Sequence, residues 1–383
     1  MITTPSKVTC GCSRASILYF VVGLVCFTTA LYWNHLTRIS QRNIHPGHLT
    51  EKHIKTSING KGKSYSKTSA HRHITSSSRS CKPFTKFVFI KPYKTGGSTI
   101  SSLLLRFGMK NKLVAALKNE SREDYYIRLN RKKHRLEIIY YNCSNFPGYE
   151  YLCLHIDMYD RLSLERIIPN AKYFTIVRSP YTHLKSKFYY DRRDMNLVML
   201  PDPFARYLRD IMENAKVDKL LLHWTNSFST HFGLDVYANK TSSLAALERL
   251  NGELDLVMLL EYFDESLVLL KKTMCWDFED IIYHPCKVHT EYQPPMTDRL
   301  RDIITKVSRA DIRLYSFFNK TFWERVANYD GDFEADLAKL RSVQKAAKVR
   351  CQKIQDHEFC QKLQSDVFDL NKIVYEEQMK WLC

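Results

Sequence analysis

The chain lacks the order of residues that grips a nucleoside triphosphate: G-x-x-x-x-G-K-[ST] occurs nowhere in its 383 positions. No C-x-x-C pair occurs among its cysteines, which argues against a structural zinc site. No zinc-finger, RRM-like or helix-turn-helix signature accompanies its formal net charge of +18, so the charge is not read as a nucleic-acid footprint. An anionic substrate, an anionic cofactor or a membrane surface explains it equally well. Acidic residues are nearly missing from one stretch: between Asn34 and Ser80 nine Lys or Arg stand against the single Glu51. That stretch also has few large apolar residues, cannot offset its chain entropy by burial, and is expected to be a flexible tether.

Before the tether, Ser16 to Trp33 carries no charge and is just long enough to cross a bilayer as a helix, with Tyr32 and Trp33 at one end. A cleaved signal peptide is the alternative, but Thr28-Thr29-Ala30 approximates its cleavage site poorly. The expected layout is a tail at 1–15, a signal anchor at 16–33, a stem at 34–80 and a lumenal domain at 81–383. Sequons at Asn119, Asn142, Asn239 and Asn319 fit a lumenal domain. Eight cysteines lie there too, an even number that suits an oxidising compartment, with Cys275–Cys286 and Cys351–Cys360 the local pairs to expect first.

What the sequence does contain is a phosphate-binding stretch. Phe87-Val88-Phe89-Ile90 is an apolar run of strand type, and Lys91-Pro92-Tyr93-Lys94-Thr95-Gly96-Gly97-Ser98-Thr99 follows it. Ile100, Leu103, Leu104 and Phe107 then recur at helical spacing. A strand, a glycine-bearing loop and a helix start together offer unpaired N–H groups and a positive dipole end to an anion. Lys94 adds a full charge, Lys91 a second, and Ser98 and Thr99 add hydroxyls. Downstream, Lys112–Leu117 and Tyr149–Ile156 read as strands, Glu120–Arg135 as surface helix or loop, and Ser163–Ile168 as a short helix. Lys172–Arg178 is a strand ending in a cation, and Ser179-Pro180 opens a helix through Lys185, Ser186 and Tyr190. The order implies an α/β fold, a P-loop-like parallel sheet flanked by helices, with Lys91, Lys94, His155 and Arg178 at the strand ends where ligands gather. Pro295–Phe318, Phe333–Lys348 and Glu358–Leu382 read as packing helices and as a surface for a possible homodimer.

The string K-x-x-K-T-G-G-S-T, the spacing of Arg178-Ser179-Pro180 to Ser186, and Leu259-Leu260-Glu261-Tyr262-Phe263-Asp264 followed by Cys275-Trp276-Asp277 resemble the galactose-3-O-sulfotransferase family. Arg106-Phe107-Gly108 fits as well. The resemblance implies PAPS (3′-phosphoadenosine 5′-phosphosulfate) as co-substrate, no metal, a Golgi type II membrane protein, and sulfuryl transfer to a galactose hydroxyl, at the 3-position, on a glycolipid or glycoprotein glycan. It assigns Lys94, Thr95, Gly96, Gly97, Ser98 and Thr99 to the 5′-phosphosulfate end, and Arg178 and Ser186 to the 3′-phosphate. Lys91 reaches the sulfuryl oxygens and His155 is the base, with Glu261 in reserve. At Tyr93 the chain departs from the family's K-T-H-K-T histidine, which bears on acceptor orientation and activity. Alternatives are a hexuronic-acid 2-O-sulfotransferase acting on glycosaminoglycans and a non-catalytic, glycan-binding member of the same fold.

Overall fold

A computed structural model describes residues 81–118, 126–130, 135–191, 202–214, 223–285, 295–353 and 358–383. The expected span at 16–33, the stem at 34–80 and Asn119 lie outside them; among the described residues no helix is long and apolar enough to cross a membrane.

Among the described residues eight strands occur in order: β1 (Phe87–Ile90), β2 (Tyr126–Ile127), β3 (Leu129–Asn130), β4 (Arg135–Leu136), β5 (Tyr151–Leu152), β6 (His155–Ile156), β7 (Lys172–Val177) and β8 (Leu256–Leu259). Four of them form one parallel sheet in the order β5-β1-β7-β8. All of β1 and β8 is buried, which is why both read as unbroken apolar runs rather than alternating ones. The chain runs from β1 outward to β5 through α1 (Gly97–Lys110), then returns across β1 to β7 through α2 (Arg161–Ile167). The direction of winding therefore changes at β1, and the crevice that such a reversal opens lies at the carboxyl ends of β1 and β7.

Helices α3 (Pro180–Asp191), α4 (Pro203–Asn214), α5 (Ser227–His231), α6 (Lys240–Glu253) and α7 (Phe263–Met274) precede the C-terminal set. That set is α8 (Asp298–Val307), α9 (Arg309–Ala327), α10 (Phe333–Lys353), α11 (Glu358–Gln364) and α12 (Val367–Leu382). The core centres on Phe87, whose ring meets Tyr151 at 5.1 Å, Trp276 at 5.5 Å and Phe174 and Phe107 at 6.0 Å. Trp276 also stacks on Phe107 at 3.9 Å and donates its indole N–H to the Phe84 carbonyl at 3.0 Å.

Several expectations are corrected. Lys112–Leu117 makes one isolated bridge, Ala115 to Tyr151, because two of its amides turn to side chains, Val114 N–H to Glu150 and Ala115 N–H to Gln378 of α12, while Ala116 N–H alone reaches the Tyr151 carbonyl. Tyr149–Ile156 is two short strands, and β6 leaves the central sheet to pair with β2, so His155 opens a strand rather than closing one. The charged stretch 120–135 contributes β2 and β3, and β3 pairs antiparallel with β4. Cys275 is joined to Cys81, not Cys286, which lies outside the described residues; Cys351–Cys360 forms as expected, and Cys143 pairs with Cys383. Cys153 is a buried free thiol, and burial pushes its pKa up to about 12.

The Cys81–Cys275 bridge joins residues 194 apart and, with the Phe84 N–H bond to the Met274 carbonyl, ties the entry of β1 to the end of α7. Replacing both cysteines by serine is expected to lower stability by about 2–5 kcal/mol, seen as a reduced thermal midpoint.

Candidate active site

The loop after β1 is shaped by an unusual set of ties. Five consecutive carbonyls each accept a hydrogen bond from a side chain. Thr175 Oγ1 donates to Ile90 at 2.7 Å, His155 Nδ1 to Lys91 at 2.9 Å and Thr95 Oγ1 to Pro92 at 3.1 Å. His183 Nε2 donates to Tyr93 at 2.8 Å, and Arg178 Nη1 to Lys94 at 3.3 Å. A carbonyl only accepts, so both histidines are fixed in tautomer, His155 as Nδ1–H and His183 as Nε2–H. The loop's acceptors are thereby engaged, and the N–H groups of Gly97 and Ser98 head α1, those of Thr99 and Ile100 turning back to the Gly96 carbonyl at 3.0 and 3.4 Å.

Two glycines follow for different reasons. Gly96 has φ +76°, and a Cβ there would stand 2.8 Å from Leu260 Cδ1. Gly97 gives room to the Lys91 stem, whose Cγ would lie 2.8 Å from an added Cβ. Lys91 is thus packed across the helix start and only 3% exposed. Lys94 itself sits in the left-handed region at φ +61°, a conformation that costs on the order of 1–3 kcal/mol and needs its surroundings to hold it. Its ammonium lies 4.0 Å from the centroid of the Tyr190 ring on α3.

Arg178 follows β7 directly and reaches the loop by the bond to Lys94. Its Nε donates to Thr182 Oγ1 at 3.0 Å, and burial draws its pKa down, opposed by the charge of Glu261. Ser186 lies on α3 one turn beyond Thr182 and is half-buried. The structure therefore brings Lys91, Lys94, His155 and Arg178 to one loop, with Ser186 on the helix beside it. Glu261, in reserve as base, accepts from the Ser179 N–H at 2.8 Å and from the Tyr315 hydroxyl at 3.1 Å. One oxygen braces the start of α3 and the other is held from α9, a bracing role that suits a carboxylate at a helix N-terminus. Of the sequons, Asn142 and Asn239 are exposed, Asn239 also capping α6 by accepting from the Ser242 N–H, and Asn319 is half-buried within α9.

Sequence reasoning missed Thr175, His183 and Tyr190. The available signal was His183 one residue before Leu184 in a helix whose buried face also holds Phe188; a histidine there must find a partner. Burial pulls the His183 pKa down to about 3, assisted by Lys187, Arg178 and Lys94, so it stays neutral as a donor. Its ring packs 4.1 Å from Phe228, whose N–H bonds to buried Asp311.

A parallel α/β sheet that carries a glycine-bearing loop after one strand and a half-buried arginine after its neighbour is an arrangement suited to an anionic ligand at the strand ends. The profile of the galactose-3-O-sulfotransferase family matches residues 49–366, and the chain belongs to that family. It is 28% identical over 291 residues to mouse galactosylceramide sulfotransferase, covering 71% of this chain and 65% of that protein. It is 29% identical over 281 residues to human galactose-3-O-sulfotransferase 3, covering 69% and 62%. With pig galactose-3-O-sulfotransferase 2 the identity is 26% over 310 residues, covering 77% and 74%. The chain thus spans slightly under two thirds of the first two relatives.

Protonation should weaken this packing. His183 and His231, the latter drawn by burial to about pH 4, resist a proton that the unfolded chain accepts near pH 6.5. Stability therefore falls as pH drops from 6.5 toward 4, by up to about 1.4 kcal/mol per pH unit for each ring. Asp311, raised by burial to about 6, acts oppositely: the folded state gains its proton first, so between pH 6 and 4 it adds stability on acidification. Two rings outweigh one carboxyl, so denaturant midpoints should decline with acid, and His183→Gln should make that decline shallower.

Proposed function

We propose that this protein transfers a sulfuryl group from PAPS to a galactose hydroxyl, at the 3-position, on a glycolipid or glycoprotein glycan. The observation that carries the reading is the bond between Arg178 and the Lys94 carbonyl, which sets the two cations the chemistry needs at one crevice. That placement fits a nucleotide phosphorylated at both 3′ and 5′ positions. Lys94, the amides of Thr95, Gly96, Gly97 and Ser98, and the Thr99 hydroxyl hold the 5′ end; Arg178 and Ser186 hold the 3′-phosphate, the arginine offering a planar fork. PAPS supplies the activated sulfuryl group and a phosphate leaving group.

Lys91 neutralises charge on the sulfuryl oxygens, a form of electrostatic stabilisation that works best where water is excluded. His155, held by its Nδ1–H, presents Nε2 as the basic nitrogen and takes the proton of the acceptor hydroxyl. Tyr93, with its ring 6.0 Å from that of His155, stands on the acceptor side and bears on which sugar is accepted. The names of the relatives, galactosylceramide and galactose-3-O-sulfotransferases, favour a galactose acceptor. The same reading makes 1–15 a cytosolic tail, 16–33 a Golgi signal anchor, 34–80 a stem and 81–383 a lumenal domain glycosylated at its sequons.

Incubation of the detergent-solubilised full chain with labelled PAPS and lactose, lactosamine, galactosylceramide and heparan acceptors tests this. Label is expected on the galactosides; label on heparan alone would overturn the assignment. Lys94→Ala should abolish both transfer and binding of PAP, the desulfated product. His155→Ala should slow transfer by about 10²–10⁴-fold while PAP still binds; unchanged turnover would remove His155 from the role of base.

A further inference from the structure

Lys94 has a fixed backbone and a long, mobile stem. Its carbonyl is held by Arg178 and its φ lies at +61°, so the direction of its side chain at the root is set. Nothing in the backbone, however, sets the position of an ammonium four carbons further out. The ring of Tyr190 does. It stands 4.0 Å from Lys94 Nζ, face toward charge, and it is itself braced by Tyr93, whose ring meets it edge-on at 5.3 Å and 79°. Helix α3 thus holds the loop twice, through His183 at the Tyr93 carbonyl and through Tyr190 at the Lys94 ammonium.

We propose that Tyr190 is a positioning residue for Lys94, holding the ammonium at the phosphate loop before the nucleotide arrives. The proposal rests on the reading that Lys94 binds the 5′ end of the nucleotide. An aromatic face suits the task better than an acid. A carboxylate would neutralise the cation and compete with an incoming phosphate, whereas a ring quadrupole attracts the ammonium and leaves its net charge intact. The side chain of Tyr190 is half-buried, so water screens the pair less than it would on an open surface.

The test exploits that electrostatic origin. Phenylalanine and its 4-fluoro, 3,5-difluoro and 3,4,5-trifluoro forms, placed at position 190 of the full chain, drain the ring face of charge with little change in size. Across the series the dissociation constant for PAP should rise stepwise, by about 2- to 30-fold in total, with the thermal midpoint constant. A flat series would reduce Tyr190 to packing, and tighter binding on fluorination would mean that the ring withholds the lysine; either overturns the proposal. A nucleotide-free measurement separates it from the functional reading. Acylation of Lys94 by acetic anhydride should quicken along the same series. If the wild-type chain binds no PAP, the functional reading falls, and the labelling still decides: quickening upholds the Tyr190–Lys94 pair, an unchanged rate rejects it.

Discussion

Every feature of the crevice depends on the row of carbonyls from Ile90 to Lys94 being occupied by side-chain donors. A tight turn after a buried strand normally leaves acceptors to water or to the next helix. Here each one is taken, by donors from β7, β6, the loop itself, α3 and the residue after β7. At roughly 0.5–1.5 kcal/mol apiece, five such bonds outweigh the strain of a lysine in the left-handed region. They also engage carbonyl lone pairs that would otherwise be left to the solvent. The shape of the loop thus depends on His155 and on the stretch from Thr175 to His183 as well as on its own Thr95.

That division explains what could and could not be read from the residues. Local features were legible: the apolar run at Phe87–Ile90, the glycine pair, the helix from Gly97, and Arg178 at the end of a strand followed by Pro180. These depend on near neighbours and on turn chemistry. The parallel sheet followed from the alternation of strands and helices. Thr175 and His183 were not legible because their partners lie 85 and 90 residues away, and an isolated Thr in an apolar strand looks like any β-branched filler. Lys112–Leu117 has the composition of a strand, yet Glu150 and Gln378 claim amides that a ladder would use. Cys81 and Cys275 are 194 residues apart, beyond any argument from spacing.

The winding of the sheet supplies the remaining constraint. Because β1 lies between β5 and β7, the chain reverses its winding there, and Arg178, after β7, reaches the Lys94 carbonyl in the loop after β1. Glu261, immediately beyond β8, extends the same logic one strand further by fixing the amide of Ser179 and so the start of α3. Three adjacent strand ends therefore cooperate, and the helix that receives them is the one that carries Thr182, Ser186 and Tyr190.

The loop is gripped at residue 93 through its main-chain oxygen, by His183. That main-chain tie would form with any side chain at 93, whereas the ring that stands there braces Tyr190 edge-on. A substitution at 93 would accordingly spare the backbone's course and be felt first by the two rings it touches, His155 and Tyr190.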